Sequence, residues 1–251
     1  MNELAIKDLL YRLADDKLVI GHRNSEWCGF GPVLEEDIAF ASMAQDELGH
    51  SLAYYLLLEG LGEGDTDQLA FNRSVAGFRS CHFVEMPIGD YAFSLMRHFL
   101  WDFADNVRIT ALKSSSYKPL SELAQKISRE EKYHILHART WISELCKGGE
   151  ESRLRLQSAL NEAFPMAFGL FEPTEFNAKL ADSGVQLTEE ELSSRWLELV
   201  TGIVKEIGLK LPTNYDTTPY IGGRKGYHSE HLESLIKEMS EVFVLEPTAK
   251  W

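Results

Sequence analysis

Two copies of the tetrapeptide Glu-x-x-His are the part of this sequence most suited to chemistry. They are Glu47 with His50, and Glu131 with His134. Residues three positions apart share one face of a helix, so each copy offers a carboxylate and an imidazole to the same point. Four-helix bundles that hold two iron or manganese ions carry this tetrapeptide on two helices and a single carboxylate on each of the other two.

Both tetrapeptides interrupt apolar stripes of predicted helices. Around the first, apolar residues recur in steps of three and four from Val33 to Leu57, and around the second they recur from Leu120 to Trp141. Glu47 and Glu131 therefore occupy positions at which core residues are expected. A buried ionised carboxylate is costly unless it is paired or bound to a cation, so both positions need a partner.

Hairpin geometry predicts which residues of the other two helices face the tetrapeptides. The turn between the first two helices centres near residue 30 or 31, so Glu47 is expected to face residues 14–16, where Asp16 lies on the apolar stripe. The turn between the other two centres near Ser116, so Glu131 is expected to face Asp102. A carboxylate is therefore present at the predicted level in both hairpins.

This placement predicts a binding site for two metal ions, iron or manganese. The predicted ligands are Asp16, Glu47, His50, Asp102, Glu131 and His134. Three alternatives stay open: Asp15 in place of Asp16, Asp105 in place of Asp102, and a pair of Glu130 with His134. A buried network of hydrogen bonds and ion pairs without any metal also stays open.

The elements that must position these residues are helices. The periodicity predicts an all-α, ferritin-like four-helix bundle with additional C-terminal helices. The bundle helices are predicted over residues 3–26, 33–61, 89–114 and 120–146. Further helices are predicted over residues 151–170, 187–207 and 228–244.

Two stretches between the predicted helices are less regular. Residues 65–88 are predicted to be the one long connection of a ferritin-like bundle, and residues 208–227 are rich in turn residues and are predicted to be an ordered loop. We expect a single domain over residues 1–251. Its core bundle would cover about 3–146, and a C-terminal extension would cover about 151–251.

Composition restricts the possible partners. The formal net charge of −14 argues against nucleic acid, because phosphate binding needs a basic surface. No apolar run approaches the roughly 18–20 residues of a membrane span, so no membrane association is expected. The three cysteines are widely spaced and suggest neither a disulfide framework nor a zinc site, so a cytoplasmic location is expected.

Two segments carry a resemblance to a known family. They are GHRNSEWCGFGPVLEEDIAFASMAQDELGH, residues 21–50, and GGRKGYHSEHLESLIKEM, residues 222–239. Both resemble the C subunits of the bacterial phenylacetyl-CoA epoxidases. The resemblance extends to length and helix order, and therefore covers essentially the whole chain.

The resemblance implies a ferritin-like protein of phenylacetate degradation. Such a chain would be one component of a multisubunit monooxygenase that epoxidises the aromatic ring of phenylacetyl-CoA. Its partner would be a homologous A subunit that carries the catalytic di-iron centre and the substrate, and a separate reductase subunit would supply electrons. The C subunit itself would be a structural partner, and a homodimer is a further expectation.

This chain departs from that pattern because it keeps both Glu-x-x-His tetrapeptides, whereas C subunits are expected to have lost one or both. Three functions therefore stay open. The chain could be a structural partner that docks through its acidic exterior or through the basic pair Arg224–Lys225, and it could be metal-free or keep a metal site. It could itself be a di-iron oxygenase or oxidase, or it could be an iron-handling protein like ferritin.

Overall fold

The computed structural model describes residues 2–247, and the regular elements in that range are all helices. The prediction of an all-α, ferritin-like fold is confirmed. The α-helices, numbered α1 to α10 in chain order, are Glu3–Ser25, Leu34–Gly60, Thr66–Phe71, His82–Glu85, Tyr91–Leu112, Lys118–Lys147, Glu150–Ala167, Asn177–Asp182, Glu189–Glu206 and Glu230–Leu245. Short 3-10 helices cover Val75–Gly77, Phe168–Phe171, Thr218–Tyr220 and Gly223–Lys225.

The chain divides into two compact units, each built around one antiparallel helix pair. The first unit joins Asn2–Pro87 to the C-terminal segment that begins at Gly222, and its central pair is α1 with α2. The second unit is Ile88–Ile221, and its central pair is α5 with α6. The single domain predicted over residues 1–251 stays a prediction.

In the first unit, α1 and α2 approach each other closely. A Cβ atom at Gly21 would lie 3.0 Å from Cγ of Leu48, so a larger residue there would push the helices apart. Ser51 donates a hydrogen bond to the Ala14 carbonyl at 2.9 Å, which places the centre of this hairpin between residues 32 and 33. The predicted centre was residue 30 or 31, so the pairing of the two helices is shifted along α1.

In the second unit, a buried ion pair ties α5 to α9. The Arg108 guanidinium donates to both carboxylate oxygens of Glu189, at 2.9 and 2.7 Å. It also donates to the Leu170 carbonyl at 2.9 Å. Glu189 begins α9, and a capping box formed by Thr188 and Glu191 fixes the start of that helix. Helix α9 is thereby held on α5.

The long helices match the sequence predictions to within three residues at each end. The predicted connection over residues 65–88 contains the short helices α3 and α4, and α8 was not predicted. Helices of four to six residues are too short to show a periodic pattern, which explains why they were missed. Among residues 2–247, no helix combines the length and the apolar character that crossing a membrane requires.

Candidate metal-binding residues

The first tetrapeptide lies on the buried face of α2. Glu47 is fully buried and His50 nearly so. His50 Nδ1 lies 3.9 Å from Glu47 Oε2, which agrees with the expectation that residues three apart share a face. Both side chains are therefore placed where the sequence pattern predicted them.

Lys17 of α1 neutralises Glu47. Its Nζ lies 2.7 Å from Glu47 Oε2, and both side chains are buried. The shifted pairing of α1 with α2 brings residue 17 to this level, although residues 14–16 were expected. Two buried ions stabilise each other only if they are well paired, so the Lys17–Glu47 contact meets the need for a partner that the apolar stripe indicated.

Asp16 also has a cation from the chain itself. Arg224 Nη1 and Nη2 donate to the two oxygens of Asp16, at 2.8 and 2.7 Å. The backbone N–H of Cys81 donates a third hydrogen bond at 2.8 Å. A carboxylate held by a bidentate arginine has little capacity left for a metal ion. The contact with Arg224 therefore competes with the predicted role of Asp16 as a metal ligand.

The same contact corrects the expected role of the pair Arg224–Lys225 in docking. Arg224 is only 4% exposed and its charge is used inside the first unit, whereas Lys225 is exposed. Arg224 is therefore not available to a partner protein. No local pattern in the sequence indicated this, because Arg224 lies 208 residues after Asp16.

Asp15, the alternative to Asp16, is held by a third cation. Arg73 donates to both of its oxygens, and the Arg79 backbone N–H donates at 2.6 Å. The Tyr55 hydroxyl donates at 2.6 Å as well. Burial, followed by the charge of Asp15, raises the pKa of Tyr55 well above its ordinary value, so the phenol stays protonated and remains a donor.

The second tetrapeptide lies on the buried face of α6, and Asp102 lies on α5. Glu131, His134 and Asp102 are all fully buried. Glu131 Oε2 lies 3.9 Å from His134 Nδ1. The Ser121 hydroxyl donates to the Lys113 carbonyl at 2.6 Å, which centres this hairpin near residue 117, within one residue of the prediction.

Asp102 has a different environment from Asp16. Its Oδ1 lies 3.3 Å from Nδ1 of His98, which is fully buried. Its Oδ2 is buried and has no hydrogen-bond partner among residues 2–247. A buried acceptor without a partner is costly, and a proton or a cation would relieve that cost.

The alternatives in the second unit differ in burial. Glu130 is exposed whereas Glu131 is buried, which favours Glu131 as the residue that acts with His134. Asp105 is buried, like Asp102, and that alternative stays open. Carboxylates and imidazoles such as those of Asp102, Glu131 and His134 are suitable ligands for a divalent metal ion.

Comparison with known proteins identifies one matching family model and two related proteins. The family model described as phenylacetic acid catabolic protein matches residues 2–251. The chain is 32% identical to the C subunit of the 1,2-phenylacetyl-CoA epoxidase of Escherichia coli (strain K12), over the full length of both. It is 26% identical to the A subunit of the same organism's epoxidase, over 74% of this chain and 62% of that protein. The chain therefore belongs to the phenylacetic acid catabolic protein family.

Proposed function

We propose that this chain is the C-type subunit of a 1,2-phenylacetyl-CoA epoxidase and serves as the structural partner of a homologous A-type subunit. The likeness to the E. coli C subunit over the whole length supports this assignment, and the weaker likeness to the A subunit supports a partner of the same fold. In this proposal the A-type subunit performs the chemistry in the cytoplasm, and a separate reductase subunit delivers the electrons.

The Lys17–Glu47 ion pair is the observation that carries the structural role. A metal ion at Glu47 would have to displace a buried ammonium group that lies 2.7 Å from the carboxylate. Arg224 and Arg73 hold Asp16 and Asp15 in the same way. Glu47, Asp16 and Asp15 are therefore each neutralised by a cation of the chain itself, which competes with a metal ion at these carboxylates.

The residues of the α5–α6 pair fit a metal better. Asp102 has a buried oxygen without a hydrogen-bond partner among the described residues, and His134 and Glu131 supply ligands that iron and manganese prefer. Asp102 and His134 offer ligand atoms within 4.8 Å of each other, so these two residues would take part in holding an ion, and an ion there would supply redox chemistry. A retained metal site, whether in a structural subunit or in a di-iron oxygenase, is our second candidate.

One double variant tests the structural role. Lys17→Met with Glu47→Gln removes both members of the buried pair and leaves no unpaired charge, which keeps the chain folded. Supplied with the reductase and co-expressed with the A-type subunit, this variant should retain epoxidase activity within about twofold of wild type. Metal analysis of the separated chains should find iron in the A-type subunit.

The matched control changes the other tetrapeptide through Glu131→Gln. A loss of activity of about 100-fold or more in either variant, with the complex still assembled, would mean that the chain has its own active centre. Self-assembly with iron uptake in the absence of any partner would instead favour the iron-handling function. Metal analysis and activity therefore separate the three candidates.

A further inference from the structure

Residues 222–229, here called the clasp, lie against residues 76–85 of the same unit. Gly223 and Gly226 allow the close approach, because an added Cβ atom at either position would come within 2.5 Å of a carbonyl oxygen of residues 76–85. Gly226 also has a φ of +82°, a conformation that favours glycine. The backbone of the clasp is therefore closely fitted to the residues that it contacts.

One side chain of the clasp, His228, is enclosed between two oxygen atoms. The side chain is only 1% exposed. Its Nδ1 lies 2.7 Å from Oε1 of Glu85, and its Nε2 lies 3.1 Å from the Phe78 carbonyl oxygen. A carbonyl oxygen can only accept a hydrogen bond, so the ring nitrogen that faces it needs a proton.

Glu85 is an acceptor as well. The Ser229 backbone N–H, which can only donate, lies 2.9 Å from Oε2, and the hydroxyl groups of Ser229 and Ser80 donate at 2.7 and 2.9 Å. Burial would raise the pKa of Glu85, but the hydrogen bonds from His228 and Ser229 lower it below its ordinary 4.5. Since an ionised carboxylate only accepts, the second ring nitrogen of His228 also needs a proton.

A neutral imidazole carries one N–H, whereas an imidazolium carries two. We propose that His228 is a pH-sensitive switch: its doubly protonated ring holds the clasp on residues 76–85, and removal of one ring proton loosens the clasp. This switch lies within the first unit and goes beyond the proposed function, because it needs neither a partner subunit nor a metal ion.

Other charged groups surround the clasp, and many of them are paired with one another. These pairs are Asp15 with Arg73, Asp16 with Arg224, and Glu26 with Arg23. His82 Nε2 faces the Tyr227 carbonyl at 2.6 Å.

Arg79 and Glu85 act on His228 in opposite directions. Arg79 Nη1 donates to the Phe78 carbonyl at 2.7 Å, and its charge opposes a positive charge on the ring. A carbonyl oxygen has two lone pairs and can accept from both residues. The Glu85 carboxylate bonds to the ring directly and favours the positive charge. The direct counter-ion therefore supports the doubly protonated form.

The sign of the pH dependence follows from the two acceptors. Both stabilise the charged form of the ring, so His228 contributes stability while it carries two protons, and that contribution is lost as the pH rises. The contribution of Glu85 has the opposite sign and is lost as the pH falls. We therefore expect the clasp to open at both ends of the pH range.

The test compares the wild-type full chain with two variants. His228→Gln keeps a polar side chain that cannot carry a charge. His231→Gln is the matched control, because His231 is partly exposed and its carbonyl, rather than its ring, accepts from Arg23. Hydrogen exchange of the clasp amides, corrected for the intrinsic rate, is measured from about pH 6 to about pH 9, above the ordinary carboxyl titration.

The opening equilibrium of the clasp in wild type and in His231→Gln should rise by about tenfold or more as the pH rises, which corresponds to the loss of a hydrogen bond to a charged group. In His228→Gln the clasp should be open to a similar extent at every pH in this range. Parallel curves for wild type and His228→Gln would overturn the proposal.

Nitrogen-15 NMR of the wild-type ring provides a readout that does not depend on the folding of a variant. At about pH 7.5, where an ordinary imidazole is mostly neutral, both ring nitrogens of His228 should carry a proton. A single protonated nitrogen at that pH would show that the clasp is held by a neutral ring, and the switch would then be wrong.

Discussion

The α1–α2 and α5–α6 pairs carry the same tetrapeptide, but the aspartates of α1 and α5 have different neighbours. In the first pair, Lys17 contacts Glu47 at 2.7 Å and Arg224 holds the neighbouring Asp16. In the second pair, His134 lies beside Glu131 as His50 lies beside Glu47, and Asp102 has the His98 imidazole as its neighbour where Asp16 has an arginine. The difference shows that the same tetrapeptide can occur where the carboxylates around it form ion pairs with the chain's own cations.

Among the substitutions that test this comparison, those in the Lys17–Glu47 pair should change the free energy of unfolding most. Lys17→Met alone leaves a buried carboxylate without its cation and should lower the free energy of unfolding by about 3–5 kcal/mol. The double variant with Glu47→Gln should recover most of that loss, because no buried charge remains. Urea denaturation of the three proteins measures both values. An additive double variant would show that the two residues are not coupled.

The next effect concerns Glu85, a buried residue of α4 in the same unit. It accepts hydrogen bonds from Ser80, from the Ser229 backbone and hydroxyl groups, and from the His228 ring. Although burial alone would raise it, the hydrogen bonds from His228 and Ser229 lower the pKa of Glu85 below its ordinary 4.5. Glu85→Gln should cost about 1.5–3 kcal/mol at neutral pH.

The sign of the pH dependence follows from the lowered pKa of Glu85. A carboxyl group with a lower pKa in the folded state contributes stability above its unfolded pKa, and that contribution is lost as the pH falls through the folded value. Wild type should therefore lose stability below about pH 4.5 more steeply than Glu85→Gln. The free energy of unfolding of both proteins is measured from about pH 3 to about pH 6, the range in which carboxyl groups ordinarily titrate. Parallel curves for the two proteins would contradict the stabilising role of ionised Glu85.

Substitution of Asp102 should change the free energy of unfolding less, since the neighbour of Asp102 is the imidazole ring of His98. Asp102→Asn keeps the shape of the side chain and removes a buried charge, so it should change the free energy of unfolding by about 1 kcal/mol at most. Excess Mn²⁺ should leave the melting temperature of the variant unchanged. A rise for wild type alone would sharpen the comparison, because it would assign a metal to the α5–α6 residues.

The smallest effect is expected for Glu130, the exposed neighbour of Glu131. Glu130→Gln should change the free energy of unfolding by about 0.5 kcal/mol or less, as is usual for surface substitutions. Glu131→Gln alters a fully buried group and should change it by more. A larger effect for Glu130 would restore the alternative pairing of Glu130 with His134.

The sequence predicted the parts of this structure that depend on local periodicity. The long helices, the burial of Glu47 and Glu131, and the level of Asp102 in its hairpin follow from apolar stripes and turn positions. The pairing of Lys17 with Glu47 did not follow, because residues 14–16 were expected at the level of Glu47 and residue 17 lies there instead. Lys17, placed between Asp16 and the apolar residues Leu18–Ile20, was nevertheless a visible signal.

The cations that hold Asp15 and Asp16 had no such signal. Arg73 lies in the irregular connection after α3, and Arg224 lies in a loop near the other end of the chain. Periodicity describes one helix at a time and says nothing about contacts across 58 or 208 residues. The docking expectation for Arg224 was wrong for this reason.

The split of the first unit along the chain has a consequence for the order in which it is completed during synthesis. Asp16 and Glu85 are translated early, yet Arg224 and His228 emerge from the ribosome only after the whole of residues 88–221. A nascent chain therefore holds these two acids without their partners while the intervening unit is being made. Truncation before residue 222 would leave the N-terminal half permanently incomplete.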